Sequence, residues 1–373
     1  VRSGLEGLGK QLGLMAFSKE EIQQYSRHLL LDKIGEAGQE KLKSAKVLVI
    51  GAGGLGCPIL QYLSAAGVGT IGIMDQDHVD ISNLQRQVLF NHSDISKNKA
   101  VVAGQKLQSL NPHLLFRIYD YALNRDNALE IFKDFDIIVD GSDNFPTRYL
   151  VNDAAVICNK PLVFGSIFKF EGQVAVFNYK ACATYRCLFP NPPQPGEVPN
   201  CSEIGVLGVL PGIIGCLQAN EVLKIILEIG KPLAGKLLSF NALDLSQQIF
   251  NVSKNSSLKI TELQNDYQSF CGLEPKNEQI TFSELENLQT EHLLLDVRTK
   301  KEREIKSLGG IHIPLDEIES RWEELDPKKT LIVYCESGKR SDLAINILKE
   351  KLAQTQLYNL EGGIKAQEIS VSG

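Results

Sequence analysis

Long runs of lysine and arginine are absent from this chain, and cysteine and histidine are scarce. With 39 basic against 45 acidic side chains, a formal net charge of −6 and no extended cationic cluster, the 373 residues carry no electrostatic footprint for nucleic acid. Proteins and small molecules are the expected partners. Eight cysteines over this length are too sparse for a disulfide scaffold, the six histidines offer no metal cluster, and no signal peptide opens the sequence. A reducing cytoplasm suits that set of absences. No uninterrupted membrane span is read either. The uncharged run from Val47 to Met74 is broken by glycines between Gly51 and Gly72 and by Pro58, where a strand, a turn and a helix would meet. The run Ile204 to Ala219 is shorter, also broken by Gly and Pro, and is expected to be a buried core helix. No internal repeat or low-complexity tract appears.

The length exceeds the usual size of one core, so two domains are expected. The opening VRSGLEGLGKQLGL (1–14) precedes Met15 and is expected to be an added leader outside the fold. From there "KVLVI" (46–50), "TIGIM" (70–74) and "DIIVD" (136–140) read as buried parallel strands, with a helix near Pro58 to Ala66. That pattern predicts a doubly wound α/β domain over 15–262. A polar stretch, 263–279, reads as a linker. A second alternation ("ITFSELENL", "HLLLDVR", "GGIHIPL", "TLIVY") predicts a small α/β domain over 280–373.

Two loops carry the chemistry. In "GAGGLG", Gly51, Gly53 and Gly56, with Gly54 between them, match G-x-G-x-x-G between a strand and a helix, where amides and the helix dipole can hold phosphates. Asp75 ends the next strand, the usual place of a ribose-binding carboxylate. Those features alone leave a NAD-dependent dehydrogenase and an ATP user both open. The residues beyond Asp75 favour the second: Asn83 and Arg86 in "DQDHVDISNLQRQVLF", then Lys99, then Asp143 in "VDGSDN". Hydride transfer builds no charge at the phosphates, whereas phosphoanhydride chemistry needs cations and a carboxylate able to hold Mg²⁺. Read singly, Arg86 and Lys99 could be solvated surface cations and Asp143 a helix cap.

Residues 18 to about 262 resemble the MoeB/ThiF/HesA adenylyltransferases, through "YSRHLLL", "GQEKLKSAKVLVIGAGGLGCP", "AGVGTIGIMDQDHVDISNLQRQVLF", "SDN", "EGQVAVF" and "GVLPGIIGCLQANEVLK". The resemblance implies a Rossmann-like adenylation domain that uses ATP and Mg²⁺ to adenylate the C-terminal glycine of a ubiquitin-like sulfur carrier ending in Gly-Gly, of the MoaD or ThiS type. It implies that Asp75 binds the ribose, Asn83 helps hold the triphosphate, Arg86 and Lys99 neutralise the phosphates and Asp143 coordinates the magnesium. It further implies a homodimer in which Arg27 reaches the site of the other subunit.

The second loop is "CESGKRS": Cys335, Glu336, Ser337, Gly338, Lys339, Arg340 and Ser341. Loop amides, the following helix N-terminus and the two cations favour a thiolate, and equally a persulfide, at Cys335. A Cys-x5-Arg phosphatase is the nearest competing reading, but only four residues separate Cys335 from Arg340. Residues from about 280 to 367 resemble a rhodanese domain, which implies sulfur transfer from a donor through a Cys335 persulfide to the activated carrier, giving a thiocarboxylate. Cys201, in a proline-rich loop, matches a family cysteine that links covalently to the carrier. Cys57, Cys158, Cys182 and Cys216 read as packing residues. Many relatives hold zinc through two Cys-x-x-Cys pairs. Here Thr184 and Gln268 stand where each pair would begin, leaving Cys187 and Cys271, so no zinc is expected.

Overall fold

The computed structural model describes residues 17–193, 205–272 and 277–366. They fall into two compact units, with the division between residues 273 and 274.

The first unit is built on an eight-stranded sheet: β1 (Lys46–Ile50), β2 (Thr70–Met74), β3 (Leu115–Tyr119), β4 (Ile137–Asp140), β5 (Leu162–Phe168), β6 (Glu171–Phe177), β7 (Lys236–Asn241) and β8 (Gln247–Asn251). Their order across the sheet is β3-β2-β1-β4-β5-β6-β7-β8. The first five run parallel, and β5 to β8 pair antiparallel. Residues 47–50 of β1 are buried on both faces, which is why "VLVI" is a continuous apolar run with no alternation. The chain leaves β1 for β2 on one side and later returns to lay β4 on the other. That reversal opens a crevice at the carboxyl ends of β1 and β4, where Ile50 pairs with Asp140.

The helix Leu210–Leu227 is long and apolar enough to cross a membrane by length and composition alone. In this fold it is a core helix, with Leu210, Ile214, Ala219, Val222 and Ile225 joining the cluster that also holds Val163, Val174 and Ile59. Pro211 sits in its first turn, where the missing amide costs nothing.

The expected linker is shorter than the polar composition of 263–279 suggested. Leu263, Tyr267 and Cys271 are buried in the first unit beside Tyr149 and Phe177. They recur every fourth residue, so the short helix Tyr267–Phe270, capped by the Asp266 side chain on the Gln268 amide (2.7 Å), turns one face inward despite its polar neighbours.

The second unit holds β9 (Glu278–Ile280), β10 (His292–Asp296), β11 (Ile311–His312), β12 (Thr330–Tyr334) and β13 (Leu357–Leu360), all parallel, in the order β11-β10-β12-β13-β9. Buried Leu331 and Val333 of the central strand pack with Ala344, Ile345 and Leu348 of the helix Lys339–Lys351, so one strand, one loop and one helix present Cys335.

Candidate functional site

The crevice of the first unit is a cleft of about 690 Å³ whose lining includes Gly51, Gly53, Gly54, Asp75, Asn83, Arg86, Lys99 and Asp143. Eight of the residues singled out from sequence are thus brought to one place. Two others serve differently. Gly56 starts the helix Gly56–Ala66, and a Cβ there would lie 2.0 Å from the Gly51 carbonyl oxygen. Its role is to let the helix close against the loop. Arg27, on the short helix Ser26–Leu29, is not among the residues lining this chain's own cleft.

Each polar group has a local cause. The Asp75 carboxylate accepts from the Ala52 amide and the Asp77 amide, both at 2.8 Å, which ties the glycine loop to the end of β2. Burial pushes its carboxyl up, against the pull of Lys99 and those two amides. Lys99 opens the helix Lys99–Leu110 and is buried, with its ammonium 3.1 Å from Asp77. That buried position excludes the solvated-cation reading. Arg86 donates to the Ser82 carbonyl at 3.1 Å, and Asn83 accepts from the Asp80 amide at 3.1 Å, so the turn 80–86 braces both. The cap of the helix Phe145–Ile157 is Asn144, which accepts from the Thr147 amide at 3.0 Å. Asp143 is therefore not the cap, and its exposed carboxylate faces the same cleft.

Arg148 carries no motif that marks it in the sequence. One turn into that helix, it lines the cleft and donates to the Ser142 carbonyl at 3.3 Å. Its positive charge also opposes the upward push that burial gives the Asp140 carboxyl.

Gly53 offers a test that separates ligand from fold. A Cβ at Gly53 would meet only the Gln87 amide nitrogen, at 3.6 Å, an ordinary contact. Gly53→Ala should leave the unfolding temperature unchanged and lower ATP affinity about tenfold or more, because the backbone must approach the phosphates closely. Unchanged affinity in an equilibrium titration would remove this loop from the nucleotide site.

In the second unit Cys335 directly follows β12 and is buried, while Gly338, at φ +86°, turns the chain into the helix Lys339–Lys351. The loop is pinned from behind. The Ile364 amide donates to the Cys335 carbonyl at 2.9 Å, and a Cβ at Gly363 would lie 2.5 Å from that same oxygen. Arg340 is engaged at its guanidinium by Glu302, at 2.9 and 2.5 Å, which holds the Glu302 carboxyl well below the usual range. Arg340 thus clamps the loop to the helix Lys300–Ile305, a partnership the sequence did not announce. Behind these, Arg298 and Asp296 form a buried pair at 2.8 Å, and Arg298 also reaches Glu336 at 3.6 Å.

The remaining thiols are consistent with packing roles. Burial pushes Cys57 up to about 12 and Cys271 up to about 11, and raises Cys158 and Cys216. Cys187 is the exception, lowered by hydrogen bonds from Thr184 and the Asn255 amide that outweigh its burial. Cys201 lies outside the described residues. Among the described residues no group of three or more His, Cys, Asp or Glu side chains could hold a metal ion by itself.

Comparison with known proteins agrees with both halves. Residues 25–260 match the ThiF family, and residues 281–368 match the rhodanese-like domain. The chain is 52% identical to a sulfur carrier protein adenylyltransferase of Thermus thermophilus over 271 residues, 69% of this chain and all of that one. It is 44% identical over 369 residues to the adenylyltransferase/sulfurtransferase MoeZ of Mycobacterium tuberculosis, 94% of each chain. It is 39% identical to the adenylyltransferase and sulfurtransferase MOCS3 of Xenopus laevis, covering 97% of this chain and 90% of that one. Among solved structures, E. coli MccB superposes with a TM-score of 0.58 at 23% identity, over 67% of this chain and 76% of that one, which speaks to the fold alone.

Proposed function

The chain belongs to the ThiF family and carries a rhodanese-like domain, and from that premise we propose that it adenylates the C-terminal glycine of a ubiquitin-like sulfur carrier and passes sulfur to it from Cys335. The observation that carries this reading is the convergence of Lys99, Arg86 and Asp143 on the cleft of the glycine loop, in a chain that also presents Cys335 on a strand-loop-helix turn. The carrier's carboxylate attacks the α-phosphate of ATP, pyrophosphate leaves, and an acyl-adenylate remains. On this reading Lys99 and Arg86 stabilise the charge that develops on the phosphates, and Asp75 takes the ribose hydroxyls. Asp143, an exposed carboxylate in that cleft, fits a Mg²⁺ site; magnesium bound there would neutralise phosphate oxygens.

The second half begins with a persulfide on Cys335, loaded by a sulfur donor. Its outer sulfur attacks the acyl carbon and displaces AMP. An external thiol releases the thiocarboxylate by attacking the Cys335 sulfur of the acyl disulfide so formed, and a second external thiol reduces the mixed disulfide left on Cys335; Cys201 is the candidate for a covalent link to the carrier. We assign the chain to a homodimer with Arg27 acting across it. The deciding experiment is mass spectrometry of a Gly-Gly-ended carrier incubated with the chain, Mg-ATP and a persulfide donor. A gain of sulfur in place of oxygen supports the assignment, and an unmodified carrier defeats it.

We also propose that zinc has no place here. Thr184 and Cys187 bond each other (3.4 Å), and the two segments that would have carried Cys-x-x-Cys pairs are joined otherwise. Arg186 donates twice to Asp153, at 2.7 Å each, and the Tyr267 hydroxyl donates to the same carboxylate at 2.7 Å. The Arg186 guanidinium also lies 4.6 Å from the Phe270 ring centre. Losing a hydrogen bond to a charged group costs about 1.5–3 kcal/mol, so Tyr267→Phe should lower the unfolding temperature by about 4–8 °C. A chelator should not lower it at all, and stoichiometric zinc in chelator-washed protein would contradict the assignment.

A further inference from the structure

Ser341 lies six residues beyond Cys335, fully buried, and its hydroxyl is within reach of three acceptors at once. These are the Asn359 side-chain oxygen at 2.7 Å, the Gly338 carbonyl at 3.0 Å and the Cys335 sulfur at 3.4 Å. A hydroxyl has one proton, so it can serve only one of them at a time. Asn359 sits on β13, is buried, and cannot turn its amide around. Its NH₂ donates to the Gly338 carbonyl at 2.9 Å, which aims its oxygen at Ser341.

We infer that Ser341 is a catalytic residue of sulfur transfer and Asn359 its positioning residue: the Ser341 proton turns to the Cys335 sulfur whenever that atom carries charge and rests on the Asn359 oxygen when it does not. The inference rests on the sulfur-transfer reading of Cys335. In the first half-reaction the Cys335 thiolate attacks the outer sulfur of a donor such as thiosulfate, a sulfur–sulfur bond forms to Cys335, and sulfite leaves with the electron pair of the broken bond. The Cys335 sulfur is then uncharged and the hydroxyl is released to Asn359. In the second half-reaction an acceptor such as cyanide takes the outer sulfur, and the Cys335 sulfur leaves as thiolate. The Ser341 hydroxyl meets that developing charge from 3.4 Å. A neutral acceptor suits this alternation, because a carboxylate at 359 would hold the proton throughout.

A hydrogen bond to a charged atom is worth about 1.5–3 kcal/mol, or roughly a 10–100-fold change in rate. In thiosulfate-to-cyanide transfer by the full chain, Ser341→Ala should lower kcat and kcat/KM for cyanide by about that factor without lowering kcat/KM for thiosulfate, and Ser341→Thr should restore most of the loss. Asn359→Ala should lower kcat by a smaller factor. The double variant should be no slower than Ser341→Ala alone, because Asn359 acts through the hydroxyl. Unfolding temperatures are measured on every variant. A Ser341→Ala kcat within threefold of the parent, or a loss confined to kcat/KM for thiosulfate, overturns the catalytic assignment while leaving Cys335 as the sulfur carrier. Additive effects of the two substitutions overturn the role of Asn359. Absence of transfer in the parent chain itself sinks the underlying reading instead.

Discussion

Asp143→Ala should abolish carrier-dependent ATP–pyrophosphate exchange, with a loss of about a hundredfold or more, and leave the fold intact. Both halves of that expectation come from where the residue stands. A capping residue at this position would have cost the helix about 1 kcal/mol on substitution, but Asn144 makes the cap and Asp143 is exposed in the cleft. Loss of activity therefore cannot be attributed to loss of the helix. The companion control is Asn144→Ala, which should lower stability by about that 1 kcal/mol while retaining more exchange than Asp143→Ala. Exchange is the assay of choice because it reports the reversible adenylation step alone, before sulfur is involved. Exchange at the parent rate in Asp143→Ala, with magnesium held limiting, would remove Asp143 from the metal site.

Cys335→Ala should divide the two chemistries completely. The thiol is presented by the second unit, and the nucleotide cleft is lined by the first. The variant is expected to retain pyrophosphate exchange near the parent rate and to lose both thiosulfate-to-cyanide transfer and carrier thiocarboxylate, since Cys335 is the thiol assigned to hold the persulfide. Replacing a buried cysteine by alanine removes one sulfur atom from a packed core, so a modest drop in unfolding temperature is expected as well. Cys201→Ala is the contrasting variant. It should keep exchange and thiosulfate-to-cyanide transfer and slow only the joint step that makes thiocarboxylate. Thiocarboxylate formed at the normal rate by Cys335→Ala, with a persulfide donor present, would show that the C-terminal unit is not the source of sulfur.

The two loops were legible in the sequence because each is a local event. A glycine with φ +90° at Gly51, or +86° at Gly338, sits between an apolar strand and a helix, and those neighbours are adjacent in the chain. The order of strands around "GAGGLG" likewise predicts a crevice at the carboxyl ends of the parallel strands. The convergence of Asp75, Arg86, Lys99 and Asp143 was legible only through the family's pattern, since periodicity says nothing of which loops meet.

Reading along the chain identifies the chemistry-bearing residues and the local turn that displays each one: the glycine loop after β1, the carboxylate after β2, the cysteine after β12. The tertiary structure alone decided their partners. Glu302 meets Arg340 across 38 residues, Asn359 meets Ser341 across 18, and Tyr267 meets Asp153 across 114. It also drew Leu263, Tyr267 and Cys271 into the first unit's core, from a segment whose polar composition reads as a tether. The physical reason is one of range. Dihedral preferences and hydrophobic period act over a few neighbouring residues, whereas a buried hydroxyl or carboxylate takes whichever donor or acceptor packing brings within about 3 Å, and burial makes leaving it unpaired too costly.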